Sequence, residues 1–341
     1  MNFSVVNLEI ARKRRRLSYK QLADAAGISP EQLSRIKNGK HFPEPCTVWA
    51  LSKALDYPEE FLRSNDNEEI PSDIVSFRSL KAMTARERDA ALSAASIAQL
   101  CSGWLDQNFS LPELRFPEFQ PGLDSESSAK LLRHYWALGE QPIGNIVHLM
   151  ESRGVRVFSL SENTKNVDAF SFWKSGKPYV FLNSFKTTER SRFDAAHELG
   201  HLVMHRHGGP QNHRESETEA DEFGSAFLMP ARDVRAHIPR VQSLDQLVKL
   251  KKRWGVSVYA LIVRTHRLQI TREWQYRNLM IQARKRFGST EPDALPPHKS
   301  SLWVSVLRSL WAERRTRDFI AMQNHLPSEE VSSLLFGLTE E

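Results

Sequence analysis

Five consecutive residues, His197-Glu198-Leu199-Gly200-His201, carry the most specific chemistry in the chain. On a helix, positions i and i+4 lie on one face, about one turn apart. Two imidazoles so placed can share one Zn2+ at about 2.0–2.1 Å. Glu198 follows the first of them. It is turned off the ligand face but within reach of a water in the metal's open position, which is where a zinc hydrolase keeps its general base. Residues 192–207 have helical periodicity, with Phe193, Ala196, Leu199, Gly200 and Val203 as packing positions.

A catalytic zinc takes three protein ligands and keeps one position open. The third ligand must come from a segment that returns to this helix. Gly208-Gly209-Pro210 supplies a reversal, and a second helix is expected over 216–229, preceded by Glu215 and opening with Glu217, Glu219 and Asp221. Glu217 and Asp221 share a face, so Glu217 can bind the metal while Asp221 accepts the N–H of a ligating histidine. Glu219 lies about 200° round the helix from Glu217, and Ser216-x-x-Glu219 has the form of a capping box. Glu217 is the preferred third ligand and Glu219 the alternative. His205, His207 and His213 read as surface or capping residues, one of which could steady an oxyanion.

Two segments, FDAAHELGHLVMH (193–205) and ETEADEFGSAFLMP (217–230), together resemble the ImmA/IrrE metallopeptidase family over about residues 125–270. The resemblance implies a gluzincin-like zinc site. His197, His201 and Glu217 match its ligands, Glu198 its base and Asp221 the carboxylate behind a ligand. Residues 179–183 resemble the edge strand that takes a peptide substrate by strand addition.

The N-terminal residues 1–64 read as short helices: 6–16, 19–26 after the cap Ser18, 31–37 after Ser29-Pro30, and 47–55. LSYKQLADAAGISPEQLSRIKNGKHFPEPCTVWALSKAL resembles the XRE, lambda-repressor-like helix–turn–helix family. The match implies that Glu31, Gln32 and Arg35 face the major groove of double-stranded DNA. It makes Tyr19, Lys20 and Lys37 phosphate contacts, and places the backbone at Asn38-Gly39 beside phosphate. Half-sites in an operator imply a homodimer. The basic run at residues 12–16 would add nonspecific attraction.

These sites need elements to hold them, and the remaining sequence supplies a second, mixed domain. Residues 65–124 read as a linker with a long Ala-rich helix over 84–106 and a Pro-rich connector over 111–122. Residues 125–270 give two helices, strands at 155–160, 167–173 and 179–183 with a hairpin turn at Ser175-Gly176-Lys177-Pro178, then the metal-site helices. Residues 271–341 read as helical. The expected class is α+β: an all-α N-terminal domain, a central metallopeptidase-like domain with a small sheet, and a helical C-terminal region.

Composition agrees with a globular chain of 341 residues, 40% hydrophobic and 26% charged. No run approaches the roughly 18 apolar residues of a membrane span, and no signal peptide is read. Cys46 and Cys101 match no disulfide or zinc framework, so a cytoplasmic protein without a membrane partner is expected. The net charge of +6 is uneven: residues 1–63 hold +4, and residues 249–286, with eleven Lys/Arg against Glu273, hold +10. That second segment is either a solvated helical face or a surface for DNA or an acidic partner. The full chain resembles XRE–ImmA/IrrE fusions, in which the protease cleaves a repressor-like protein. A silent zinc-bound sensor of a partner or ligand, and an antitoxin-like scaffold, are the other readings.

Overall fold

The computed structural model describes residues 3–64, 67–77, 83–119, 122–160, 169–206, 213–288 and 290–339. His207, the Gly208-Gly209-Pro210 reversal, the side chain of His213 and the expected strand start at residue 167 lie outside what it describes. The first half of the chain gives α1 (Val5–Arg14), α2 (Tyr19–Ala26), α3 (Pro30–Lys37), α4 (Pro45–Leu55), α5 (Glu59–Arg63), a short β1 (Ser76–Phe77), α6 (Ala85–Asn108), α7 (Ser125–Tyr135), α8 (Ile146–Glu151) and β2 (Arg156–Leu160). The second half gives β3 (Ala169–Lys174), β4 (Lys177–Asn183), α9 (Thr188–Met204), α10 (His213–Leu228), α11 (Ala231–His237), α12 (Leu244–Trp254), α13 (Val258–Arg267), α14 (Glu273–Phe287), α15 (Ser301–Ala312), α16 (Arg317–Gln323) and α17 (Ser328–Leu335). The class is α+β, and among the described residues no helix is long and apolar enough to cross a membrane.

The chain divides into two compact units. The first joins Met1–Leu111 and Phe158–Val167 to Leu302–Thr339. Its centre is α6, capped by a reciprocal Thr84–Glu87 box. The buried face of α6 is mostly small: Ala90, Ala91, Ala94, Ala95 and Ala98, with Ser93, Ser96 and Ser102. Side chains this small let α1, α16 and α17 lie close against it. The helix–turn–helix follows local rules. Ser18 and Gln21 form a capping box on α2, Gly27 at φ 64° makes the left-handed turn, and Ser29 with Pro30 starts α3. Leu22, Ala23, Leu33, Ile36, Val48 and Leu51 are buried beneath it.

Most of the basic run at residues 12–16 is occupied within this unit. Arg12 pairs with Glu9 at 2.8 Å and Lys13 with Glu69 at 2.8 Å. Arg14 Nε donates to Glu330 at 2.7 Å and Arg15 Nη1 at 3.3 Å, while the Tyr57 hydroxyl donates to the same carboxylate at 2.9 Å. Glu330 is only 2% exposed, so α17 fastens the N-terminal helices through one buried carboxylate. Burial, reinforced by the Glu330 charge, raises the Tyr57 phenol well above its usual range.

The second unit comprises Pro112–Val157, Asp168–Ser301 and Glu340–Glu341. β3 and β4 form an antiparallel hairpin with Phe170 opposite Phe181 and Phe172 opposite Tyr179. Its loop is Ser175-Gly176, with φ 50° and 73°. Positive φ at both central residues is the type I′ condition whose twist matches the flanking strands. β4 is paired with β3 from Lys177 to Leu182.

α9 is packed against α7, α8, α10, β3 and β4, and its buried residues point in every direction. At one end Arg192, 2% exposed, donates to the carbonyls of Trp254, Gly144 and Ile143. The contact with α10 is the closest. A Cβ on Gly224 would sit 3.1 Å from the His197 backbone nitrogen, and one on Gly200 would sit 3.1 Å from the Phe223 ring.

Several cations of the basic segment 249–286 are paired with acids inside this unit. Lys251 is buried between Glu291, at 3.0 Å, and Glu189, at 3.3 Å. Arg264 grips Glu126 at 2.6 and 2.7 Å, and Arg253 grips Asp233 at 2.8 and 2.9 Å. Lys252 meets Asp293 at 2.9 Å, and Arg286 meets Asp245. All these acids lie outside the basic segment in sequence, which is why the segment looked so unbalanced.

Two predictions follow from this packing. Glu330→Ala should lower the unfolding free energy by about 3 kcal/mol, the low end for breaking a buried ion pair from one side, as read by urea denaturation. Gly224→Val should cost about 1–3 kcal/mol by overpacking and should weaken metal binding, as read by thermal unfolding and a zinc titration.

Candidate functional site

His197, Glu198 and His201 lie on α9 and are 0%, 0% and 6% exposed. Glu217 and Asp221 lie on α10, brought close where Gly200 meets Phe223 and Gly224 meets the His197 backbone. The Nε2 atoms of His197 and His201 are 3.1 Å apart, and each lies 3.3 Å from a different oxygen of Glu217. His197, His201 and Glu217 thus converge as a group able to hold a metal ion. Asp221 Oδ1 is 2.9 Å from His197 Nδ1. A carboxylate only accepts, so Nδ1 carries the proton and Nε2 offers its lone pair towards Glu217.

Lone pairs facing one another need positive charge among them, and two imidazoles with a carboxylate suit a divalent transition metal. Burial tends to raise the Glu217 carboxyl. Positive charge at the His197 and His201 Nε2 positions, which a proton there supplies and a metal cation would replace, outweighs it and holds the group far below its usual range. Burial lowers the His201 imidazole to about 4, which keeps it neutral and ligand-ready near pH 7.

Glu198 stands beside this group. Its Oε2 accepts a hydrogen bond from Ser171 Oγ on β3 at 2.7 Å, while Oε1 is buried with no hydrogen-bond partner. Burial raises its carboxyl to about 7, against the opposing effects of His197 and the Ser171 hydroxyl. A fixed carboxyl with one oxygen held and the other unoccupied can take up and return a proton.

Three features here were missed in the sequence. Ser171 faces the site from the middle of a strand between Phe170 and Phe172, and only that small polar interruption of an aromatic run marks it. Gly224 was passed over although Gly in a helix interior signals a close approach. Glu219, the alternative ligand, lies on His205: His205 Nε2 is 2.9 Å from Glu219 Oε2, and His205 Nδ1 is 2.9 Å from His201 Nδ1. α10 begins at His213, so Ser216 sits inside the helix and the expected capping box does not form.

In the first unit, Glu31 and Arg35 are exposed on α3, with Lys37 at its end and Asn38 just beyond, and Lys20 is exposed on α2. Gln32 is half-buried, its amide 3.5 Å from Thr47 Oγ1. Tyr19 is also half-buried. Its ring carries the Lys37 ammonium at 4.0 Å on one contact and the Arg12 guanidinium at 4.1 Å on another. The ring thereby brings Lys37 against the start of α2, within one exposed basic surface.

Comparison with known proteins finds two domains. The IrrE N-terminal-like domain of the peptidase families matches residues 150–266, which hold His197, Glu198, His201, Glu217 and Asp221. A helix–turn–helix family matches residues 8–62. A 56-residue stretch is 43% identical to the HTH-type transcriptional repressor RghR of Bacillus subtilis (strain 168), covering 16% of this chain and 42% of that repressor. The chain therefore matches less than half the length of this relative. The chain thus joins an XRE-type helix–turn–helix domain to a protease-like domain of the IrrE/ImmA family.

Proposed function

We propose that the chain is a cytoplasmic transcriptional regulator whose central domain is a zinc-dependent endopeptidase, cleaving a repressor-like protein in a stress, phage or mobile-element response. The reading includes a homodimer on the paired half-sites of a double-stranded operator. The observation that carries it is the convergence of His197, His201 and Glu217 next to Glu198 Oε1, a buried oxygen without a partner.

His197, His201 and Glu217 would hold the zinc, with Asp221 keeping the His197 ring in place. Bound there, zinc supplies a water of lowered pKa and polarises the scissile carbonyl. Glu198 takes the proton of the attacking water at Oε1. Ser171 holds Oε2, so the carboxylate does not turn away. The protonated Glu198 then gives its proton to the departing amine, and the carboxyl near 7 suits both halves of this exchange. On the DNA side, Arg35 and Glu31 would meet base edges, with Gln32 beside them, while Lys20, Lys37, Tyr19 and the backbone at Asn38 would meet phosphates.

Incubation with candidate repressor-like proteins tests the enzymatic half. Glu198→Gln should keep its zinc and lose cleavage by about 10²–10⁴-fold; equal cleavage by this variant contradicts the mechanism. If the wild type cleaves no candidate yet binds its own promoter, the silent-sensor reading takes its place. On the DNA half, Arg35→Ala should weaken operator binding by about 1–3 kcal/mol and relax sequence preference, whereas Lys37→Ala should weaken all sequences alike and reduce the salt slope by about 1. Fluorescence anisotropy across a salt series distinguishes the two.

A further inference from the structure

We propose that His205 and Glu219 are positioning residues that fix the tautomer and ring orientation of His201, and so raise the affinity of the domain for zinc. The inference rests on the metal site proposed above.

A metal binds an imidazole through a lone pair, so each ligating ring must carry its proton on the other nitrogen. His197 meets this condition directly through Asp221. His201 has no carboxylate on Nδ1; that atom faces Nδ1 of His205 at 2.9 Å. Two facing imidazole nitrogens leave the direction of the hydrogen bond open, and it must be set from elsewhere.

Glu219 sets it. Its Oε2 is 2.9 Å from His205 Nε2, and a carboxylate can only accept. His205 Nε2 therefore carries the proton, and neutral His205 has its lone pair on Nδ1. Facing that lone pair, His201 Nδ1 must donate. The lone pair of His201 then falls on Nε2, the atom 3.3 Å from Glu217 and 3.1 Å from His197 Nε2. With the opposite direction, His201 would present an N–H to the metal position and could not ligate. The His205 side chain is 11% exposed and Glu219 37% exposed, so His205 should contribute more than Glu219. Because Glu219 is on α10, His201 on α9 and His205 at the C-cap of α9, this chain is a second bridge between the helices, parallel to His197–Asp221.

The full-length protein, stripped of metal, is titrated with zinc against a chromophoric chelator and with Co2+ by its visible absorption. His205→Ala should weaken zinc binding by roughly 10–100-fold, and Glu219→Ala by less. His205→Asn places an amide oxygen close to the lost Nδ1 and should recover most of the affinity, which a purely space-filling role would not predict. The double variant should be little worse than His205→Ala, since both changes break one chain. The metal-free variants should unfold like the wild type. Unchanged zinc affinity in His205→Ala, while His201→Ala loses zinc, overturns the proposal and leaves the metal site standing. His205→Asn binding no better than His205→Ala also overturns it. A wild type that binds no zinc, or a His201→Ala that binds it normally, overturns the metal site and this inference together.

Discussion

Glu217 reaches the two imidazoles because α9 and α10 meet almost backbone to backbone. Gly224 lies where a Cβ would stand 3.1 Å from the His197 nitrogen, and Gly200 lies where one would stand 3.1 Å from the Phe223 ring. Close-packed interiors transmit small displacements rather than absorbing them, so a side chain at either position would lift the carboxylates of Glu217 and Asp221 away from the histidines. The rest of the second unit keeps this contact in place. α7, α8, β3 and β4 enclose α9, Arg192 ties one end of it to three carbonyls, and β3 carries Ser171 to Glu198. Burial then does the chemical work, raising Glu198 and keeping His201 neutral.

Charge is used in two distinct ways along the chain. In the run at residues 12–16 and in residues 249–286, many cations are taken up by acids distant in sequence, Glu330 and Glu69 for the first and Glu189, Glu291, Glu126, Asp233, Asp293 and Asp245 for the second. Lys251 and Arg264, 1% and 2% exposed, are core residues of the second unit. The net charge of +6 is thus a poor guide to the proposed nucleic-acid face, which depends on the side chains left at the surface of α2 and α3.

The helix–turn–helix and the metal group were readable because both follow helical spacing and local capping, which are properties of adjacent residues. Ser18, Gly27, Ser29-Pro30 and the i, i+4 pairs His197/His201 and Glu217/Asp221 needed no knowledge of distant contacts. What was not readable depended on tertiary placement. Glu219 reads as a capping residue only if α10 begins near Ser216; a helix that starts at His213 leaves Glu219 to meet His205. Residues 179–183 carry no mark of which neighbour will pair with them, and β3 is one. The acids that balance residues 249–286 could not be assigned until the helices were folded together.

X-ray absorption at the zinc edge of the isolated protein bears most directly on the metal centre. Two imidazole nitrogens at about 2.0–2.1 Å and carboxylate oxygen at about 2.0–2.2 Å are expected, with one imidazole lost in His197→Ala. A sulfur scatterer, a shell without imidazole, or a spectrum unchanged by His197→Ala would contradict the account.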